Sequence, residues 1–142
     1  KTRTALKEAG LLSSMNPENI ILVAGTNGKG TTAKILEQLL ISAGQKVGLY
    51  TSPHLISTCE RIRCDDQMIS EKDFISLCQK HKVLIENLEL THFESLTLFA
   101  ADHFSVQNAD WMIFEVGLGG TWDATNAIFS WRIAIFINVQ FG

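Results

Sequence analysis

Between Gly25 and Thr32 the chain reads GTNGKGTT, three glycines and a lysine followed by two threonines. Glycine lets the backbone take positive φ and brings its N–H groups close to an anion. Lys29 adds a point charge suited to outer phosphates. A helix that starts behind the turn supplies unpaired amides and a positive partial charge, and Thr31 and Thr32 can add hydroxyls. The spacing departs from G-x-x-x-x-G-K-[ST], because two residues separate Gly25 from Gly28 and Gly30 stands between Lys29 and Thr31. A glycine-rich turn with a solvent lysine is the plain alternative. The order of apolar run, glycines, lysine, threonines and helical pattern favours phosphate binding.

Two further stretches carry polar groups with a use beside phosphate. In TSPHL (Thr51–Leu55) Ser52 offers a hydroxyl to Mg²⁺ and Pro53 restricts the turn, although a simple strand-ending turn explains the stretch equally well. His54 reads as a turn or packing residue. In FEVGLGG (Phe114–Gly120) Glu115 lies near the end of a strand-like run, where an unpaired carboxylate is costly. Mg²⁺ bridging phosphates would offset its charge; a lysine or arginine partner is the alternative. The glycines after it let the loop bend over a ligand or merely form a turn.

The elements that position these residues follow from periodicity. Ile20 to Ala24, Val47 to Thr51, Trp111 to Val116 and Ile133 to Asn138 are apolar runs of the kind found in strands buried on both faces. After the glycine turn, Ile35, Leu36, Leu39, Leu40 and Ala43 form a helical stripe that stops at Gly44. Ser70 and Asp73 resemble a capping box opening a helix whose apolar face is Phe74, Leu77, Cys78, Leu84, Ile85 and Leu88. Leu96, Phe99, Ala100 and Phe104 give a further helix from about Phe93 to Phe104. Strands alternating with helices predict an α/β fold, a mostly parallel sheet flanked by helices, with the first two strands parallel and ligands at the carboxyl ends.

The 142 residues suit one domain, and 46% hydrophobic with 19% charged residues is ordinary for a globular protein. A net charge of −3 gives no general attraction to nucleic acid or anionic lipid, and neither is expected as a partner. Arg61 with Arg63, and Lys80 with Lys82, read as solvated faces. No apolar stretch reaches the roughly 18–20 residues of a membrane span, and no signal-peptide pattern opens the chain. Cys59, Cys64 and Cys78 have no metal-site spacing and suggest reduced thiols in a cytoplasmic protein. The start at Lys1 and the stop at Gly142, just after an apolar run, suggest part of a larger protein.

With these pieces in place, the sequence resembles the folylpolyglutamate synthase and dihydrofolate synthase family within the Mur-type ATP-dependent ligases. The resemblance is carried by GTNGKGTT (25–32), VGLYTSPHL (47–55), ERIR (60–63), MISEKDF (68–74), LTHFESLT (90–97) and FEVGLGGTWDATN (114–126). It implies a P-loop-containing domain of the Mur ligase central-domain type, occupying residues 1–142 as a partial N-terminal ATP-binding domain. It also implies that the glutamate-binding C-terminal domain lies elsewhere, and that this portion does not ligate unaided. The implied reaction is phosphorylation of a pterin-linked carboxylate by ATP, followed by attack of L-glutamate on the acyl phosphate. The substrates would be dihydropteroate or a reduced folate, the cofactors ATP and Mg²⁺, and the default state a monomer.

Carried over by motif, Asn27, Gly28, Lys29, Gly30 and Thr31 bind ATP, Lys29 and Glu115 act in catalysis, and Ser52 and Glu115 bind magnesium. Thr91, His92, Phe93 and Glu94 match the pterin-side segment of bifunctional members, as do Trp122, Asp123 and Ala124. Phe93 offers a ring to stack on a pterin and Asp123 a carboxylate for its N–H groups; a core phenylalanine and a turn cap by Asp123 with Thr125 are the alternatives. The family commonly reads GLGGRLDATN, where this chain has Thr121 and Trp122. A family magnesium-binding histidine falls beyond Gly142. Competing readings are a P-loop small-molecule kinase, another Mur-type amino-acid ligase and a module that only senses nucleotide.

Overall fold

A computed structural model of the chain describes residues 1–116 and 133–137. Their elements run α1 (Thr2–Glu8), β1 (Ile20–Gly25), α2 (Lys29–Ser42), β2 (Val47–Tyr50), β3 (Ile62–Cys64), β4 (Gln67–Met68), α3 (Glu71–Leu88), α4 (His92–Val106), β5 (Trp111–Glu115) and β6 (Ile133–Ile137). Short 3-10 turns occupy Pro17–Asn19 and Thr58–Arg61. The strands form one mixed sheet in the order β4-β3-β2-β5-β1-β6. β2, β5, β1 and β6 are parallel, while β3 and β4 form an antiparallel hairpin on the β2 edge. β1 and β2 are parallel as expected, but β5 lies between them. Its apolar run Met112–Phe114 needs cover on both faces, and the middle of the sheet provides it.

Alternation along the strands divides the core into two layers. Ile21, Val23, Val47, Leu49 and Ile113 face α2, packing on Ala33, Leu36 and Leu40. Ile20, Leu22, Tyr50, Met112 and Phe114 face the other way, toward α1, α3 and α4. Helix α4 is buried from Ser95 through Phe104, wedged between the sheet and the outer helices, so its expected stripe is only part of its contact surface. The α3 face forms as expected, with Leu77 buried and Phe74, Cys78, Leu84, Ile85 and Leu88 against the core.

Three features depart from expectation. In α2, Ile35 and Leu39 are 55% and 62% exposed, and the sheet-facing stripe instead contains Ala33, Leu36, Glu37 and Leu40. The phase is set where Gly30 meets Glu115 in the first turn, and Glu37, fully buried on Lys34 at 2.6 Å, hides the stripe from an apolar count. Helix α1, with Ala5 and Leu6 fully buried, was not foreseen. Nor was the β3–β4 hairpin, whose strands of three and two residues are too short to show a period. Its turn places Asp65 and Asp66 at φ 49° and 64°, a left-handed pair that aspartate tolerates. No helix among the described residues is long and apolar enough to cross a membrane.

Candidate functional site

The carboxyl ends of β1, β2 and β5 meet on the α2 side of the sheet. β1 ends at Gly25, whose φ is +143° and whose backbone passes so close to β6 that a Cβ would lie 1.8 Å from the Ile137 carbonyl oxygen. A side chain there would push the turn off the sheet. Gly28 is the N-cap of α2 in the left-handed region at φ +81°, with no side chain to cap the helix. The first helical bond runs from the Thr32 N–H to the Gly28 carbonyl at 2.9 Å, so the amides of Lys29, Gly30 and Thr31 precede it. The positive end of α2 thus opens at the turn. Lys29 is buried, its Nζ donating to the Thr26 carbonyl at 3.3 Å, while Asn27, Gly28 and Thr31 form an exposed rim.

Glu115 ends β5 in register with Val23 of β1 and is 4% exposed. Its Oε2 lies 3.7 Å from where a Cβ on Gly30 would stand and accepts the Ser52 N–H at 3.2 Å. Burial raises the carboxyl above its ordinary range, against the Ser52 hydrogen bond and the charge of Lys29. No lysine or arginine among the described residues forms an ion pair with it. Gly30, Ser52 and Glu115 line a cavity of about 430 Å³ that Lys34, Arg63 and Asp66 close from the hairpin side. These outer charges satisfy one another. Lys34 bridges Glu37 and Asp66, Arg63 Nη2 meets Asp66 Oδ1 at 2.7 Å, and the two cations pull the Asp66 carboxyl down to about 2.

The segment after Ser52 is ordered by a residue that the sequence reading did not single out. The Glu60 carboxylate accepts the N–H groups of Leu55, Ile56 and Ser57 at 3.0, 2.8 and 2.7 Å, and these bonds pull its acidity to about 2. Ser57 and Glu60 complete a capping box around the 3-10 turn. The S-x-x-E spacing was the available signal. His54 Nδ1 accepts from Arg61 Nε at 2.8 Å, in keeping with a turn role. The solvated-face reading of the basic pairs fails for Arg61 and Arg63 and holds for Lys80 and Lys82. Arg61 and Arg63 are half-buried and partnered, while Lys80 and Lys82 are exposed, Lys80 also reaching buried Asp102 at 2.6 Å.

The structure gathers Asn27–Thr31, Ser52 and Glu115 at one sheet edge. Thr91, His92, Phe93 and Glu94 form the start of α4 across the sheet. There Thr91 and Glu94 close a capping box: the Thr91 hydroxyl accepts the Glu94 N–H at 3.3 Å and the Glu94 carboxylate accepts the Thr91 N–H at 2.8 Å. His92 is exposed, and Phe93 is half-buried with its ring 5.9 Å from that of Tyr50. Thr121, Trp122, Asp123 and Ala124 lie outside the described residues.

No protein-family model matches the chain. It is 46% identical over 133 residues to the dihydrofolate synthase/folylpolyglutamate synthase of Buchnera aphidicola, covering 94% of this chain and 32% of that protein. The Escherichia coli protein of the same name is 44% identical over 109 residues, 77% of this chain and 26% of its own length. The chain thus spans about a third or less of these curated relatives. Among solved structures, it is similar to the bifunctional folylpolyglutamate synthase/dihydrofolate synthase with Mn, AMPPNP and L-glutamate bound, at TM-score 0.85 and 39% identity, over 95% of this chain and 32% of that one. It is also similar to Escherichia coli FolC in complex with DHPP and ADP, at TM-score 0.85 and 38% identity, over 99% of this chain and 34% of that one. The relatives therefore carry the family name that the motifs pointed to.

Proposed function

We propose that the chain is the phosphate-binding portion of an ATP-dependent, amide-forming ligase of the folylpolyglutamate synthase and dihydrofolate synthase family, built on a Mur ligase central-domain fold with a P-loop. The observation that carries this reading is Glu115. A buried carboxylate without an ion-pair partner among the described residues is costly, and it stands beside Ser52 and the open end of α2. That donor set suits a hard divalent cation. Ser52 and Glu115 would hold Mg²⁺, which supplies charge neutralisation to the phosphates. The nucleotide and manganese in the solved relative, and the ADP and DHPP in the other, support the same assignment.

In this reading the outer phosphates of ATP rest on the amides of Lys29, Gly30 and Thr31, with Asn27 and Gly28 shaping the rim. Lys29 offsets charge on the transferred group, whose transition state needs positioning and electrostatic support more than covalent help. A carboxylate oxygen of dihydropteroate or a reduced folate attacks the γ-phosphorus and ADP leaves. The amine of L-glutamate then attacks the acyl carbon, the C–O bond breaks, and inorganic phosphate departs as the nitrogen loses its proton. His92 and Phe93 face the pterin side, while Thr91 and Glu94 hold the helix end that presents them. Trp122, Asp123 and Ala124 complete that side by motif.

Residues 1–142 act as part of an N-terminal ATP-binding domain. Glutamate is bound by another part of the protein, and this portion alone does not ligate. We read the whole protein as cytoplasmic, with a monomer as the default state; the free Cys59, Cys64 and Cys78 of this portion suit a reducing setting. The test is ADP release by the full-length protein with Mg²⁺-ATP and dihydropteroate or a reduced folate. Release that requires both the carboxylate substrate and glutamate supports the ligase. Release indifferent to glutamate would assign the turn to a kinase or an ATPase.

A further inference from the structure

The cavity beside Glu115 has a second charged wall, one helical turn along α2. Lys34 follows Gly30 by four residues and shares its face of the helix, about 6 Å farther from the glycine turn. Arg63 stands opposite Leu49 in the β2–β3 ladder, which turns both toward α2. Both cations line the cavity with Gly30, Ser52 and Glu115. They converge on one oxygen, Asp66 Oδ1, which Arg63 Nη2 meets at 2.7 Å and Lys34 Nζ also contacts. Glu37 takes Lys34 as well, from a fully buried position. Asp66 differs: it lies in the β3–β4 turn with its side chain 48% exposed. Glu60, another acid on this wall, is spent on three loop amides. A half-exposed carboxylate gains little from such pairing, so another carboxylate can take its place.

The spacing says which carboxylate fits. A reduced folate ends in a glutamyl residue, whose α- and γ-carboxyl carbons are separated by four carbon–carbon bonds, about 5 Å when extended. With the γ-carboxylate at Gly30 and Glu115, the α-carboxylate reaches the wall one turn away. Dihydropteroate ends in a single benzoate carboxylate and has nothing to place there. We propose that Lys34 and Arg63 form a subsite for the α-carboxylate of a folate's terminal glutamyl residue, and that Asp66 holds the two cations until this substrate displaces it. The inference rests on the ligase reading above and deepens it, since it names a glutamyl-ended folate as the carboxylate substrate that this wall favours.

Steady-state kinetics of the full-length protein tests it, with Mg²⁺-ATP, L-glutamate and either a reduced folate monoglutamate or its analogue carrying a carboxamide in place of the α-carboxylate. Wild type uses the folate with a kcat/KM about tenfold or more above that of the analogue, mainly through KM. Arg63→Gln loses most of that preference. Asp66→Asn, at a turn position whose backbone asparagine tolerates, lowers KM for the folate about two- to fivefold, with a smaller change for the analogue. A purely structural role for these ion pairs would move both substrates together. Equal use of folate and analogue by wild type, or equal effects of the substitutions on the two, overturns the inference. So does a protein that ligates dihydropteroate and leaves the reduced folate unused, although the ligase reading then stands. ADP release indifferent to glutamate overturns the ligase reading and this inference with it.

Discussion

At the scale of single residues, the proposed function turns on Glu115 and Lys29. The folded-state pKa of Glu115 lies above its ordinary 4.5, so the charged form costs stability at neutral pH, and stability is recovered as pH falls through the raised value. Glu115→Gln removes that cost. Its ligand-free form melts higher, by about 1 kcal/mol or less, and the rise vanishes at acid pH, as thermal melts at pH 7 and pH 4 will show. The same variant loses the Mg²⁺ dependence of nucleotide binding. Lys29→Met weakens transition-state support and lowers turnover by roughly 10²- to 10³-fold, with a smaller effect on nucleotide affinity; steady-state kinetics beside equilibrium binding separates the two. The glycines, Lys29 and Glu115 were legible because few other patterns place those types at strand ends. Glu60 and Glu37 were not read although each has a local partner, Ser57 in an S-x-x-E pair and Lys34 one turn back, because neither spacing reveals that the carboxylate orders a loop or lies buried.

At the scale of elements, caps and turns fix how the site residues are presented. Thr91→Ala opens the capping box of α4 and costs about 1 kcal/mol, read from denaturant midpoints, with Phe93 less well ordered. The loop after Ser52 depends on Glu60. Its folded pKa is depressed to about 2, so its support is fully present above the ordinary 4.5 and is lost as pH falls through 2. The amide proton signals of Leu55, Ile56 and Ser57 should accordingly titrate near pH 2, and shift at neutral pH in Glu60→Gln; a midpoint near 4.5 would contradict this role. The long elements were legible. The capped α3, the apolar strands and α4 appear within a residue or two of their expected spans. The phase of α2 was not, because two overlapping stripes compete and the one that faces the sheet contains buried Glu37. The β3–β4 hairpin escaped because two or three residues carry no readable alternation.

At the scale of the whole molecule, parallel β2, β5, β1 and β6 bring a glycine turn, a serine loop and a glutamate to one edge, with α2 on one side and α4 on the other. Strand direction was legible from the apolar runs, but the order was not, because the position of β5 between β1 and β2 is settled by long-range packing. Nucleotide should stabilise this edge as a unit. At a hundred times its Kd, Mg²⁺-nucleotide adds about 2.7 kcal/mol, seen as a raised melting temperature that falls back when the cation is chelated. The central claim is that the phosphate held by this edge is passed to a carboxylate before the amide forms. The most direct measurement starts from dihydropteroate or reduced folate labelled with oxygen-18 in the reacting carboxylate, turned over by the full-length protein with Mg²⁺-ATP and glutamate. The account predicts one labelled oxygen in each inorganic phosphate released, because the acyl C–O bond is the one that breaks. Phosphate free of label, with the amide still formed, would contradict it.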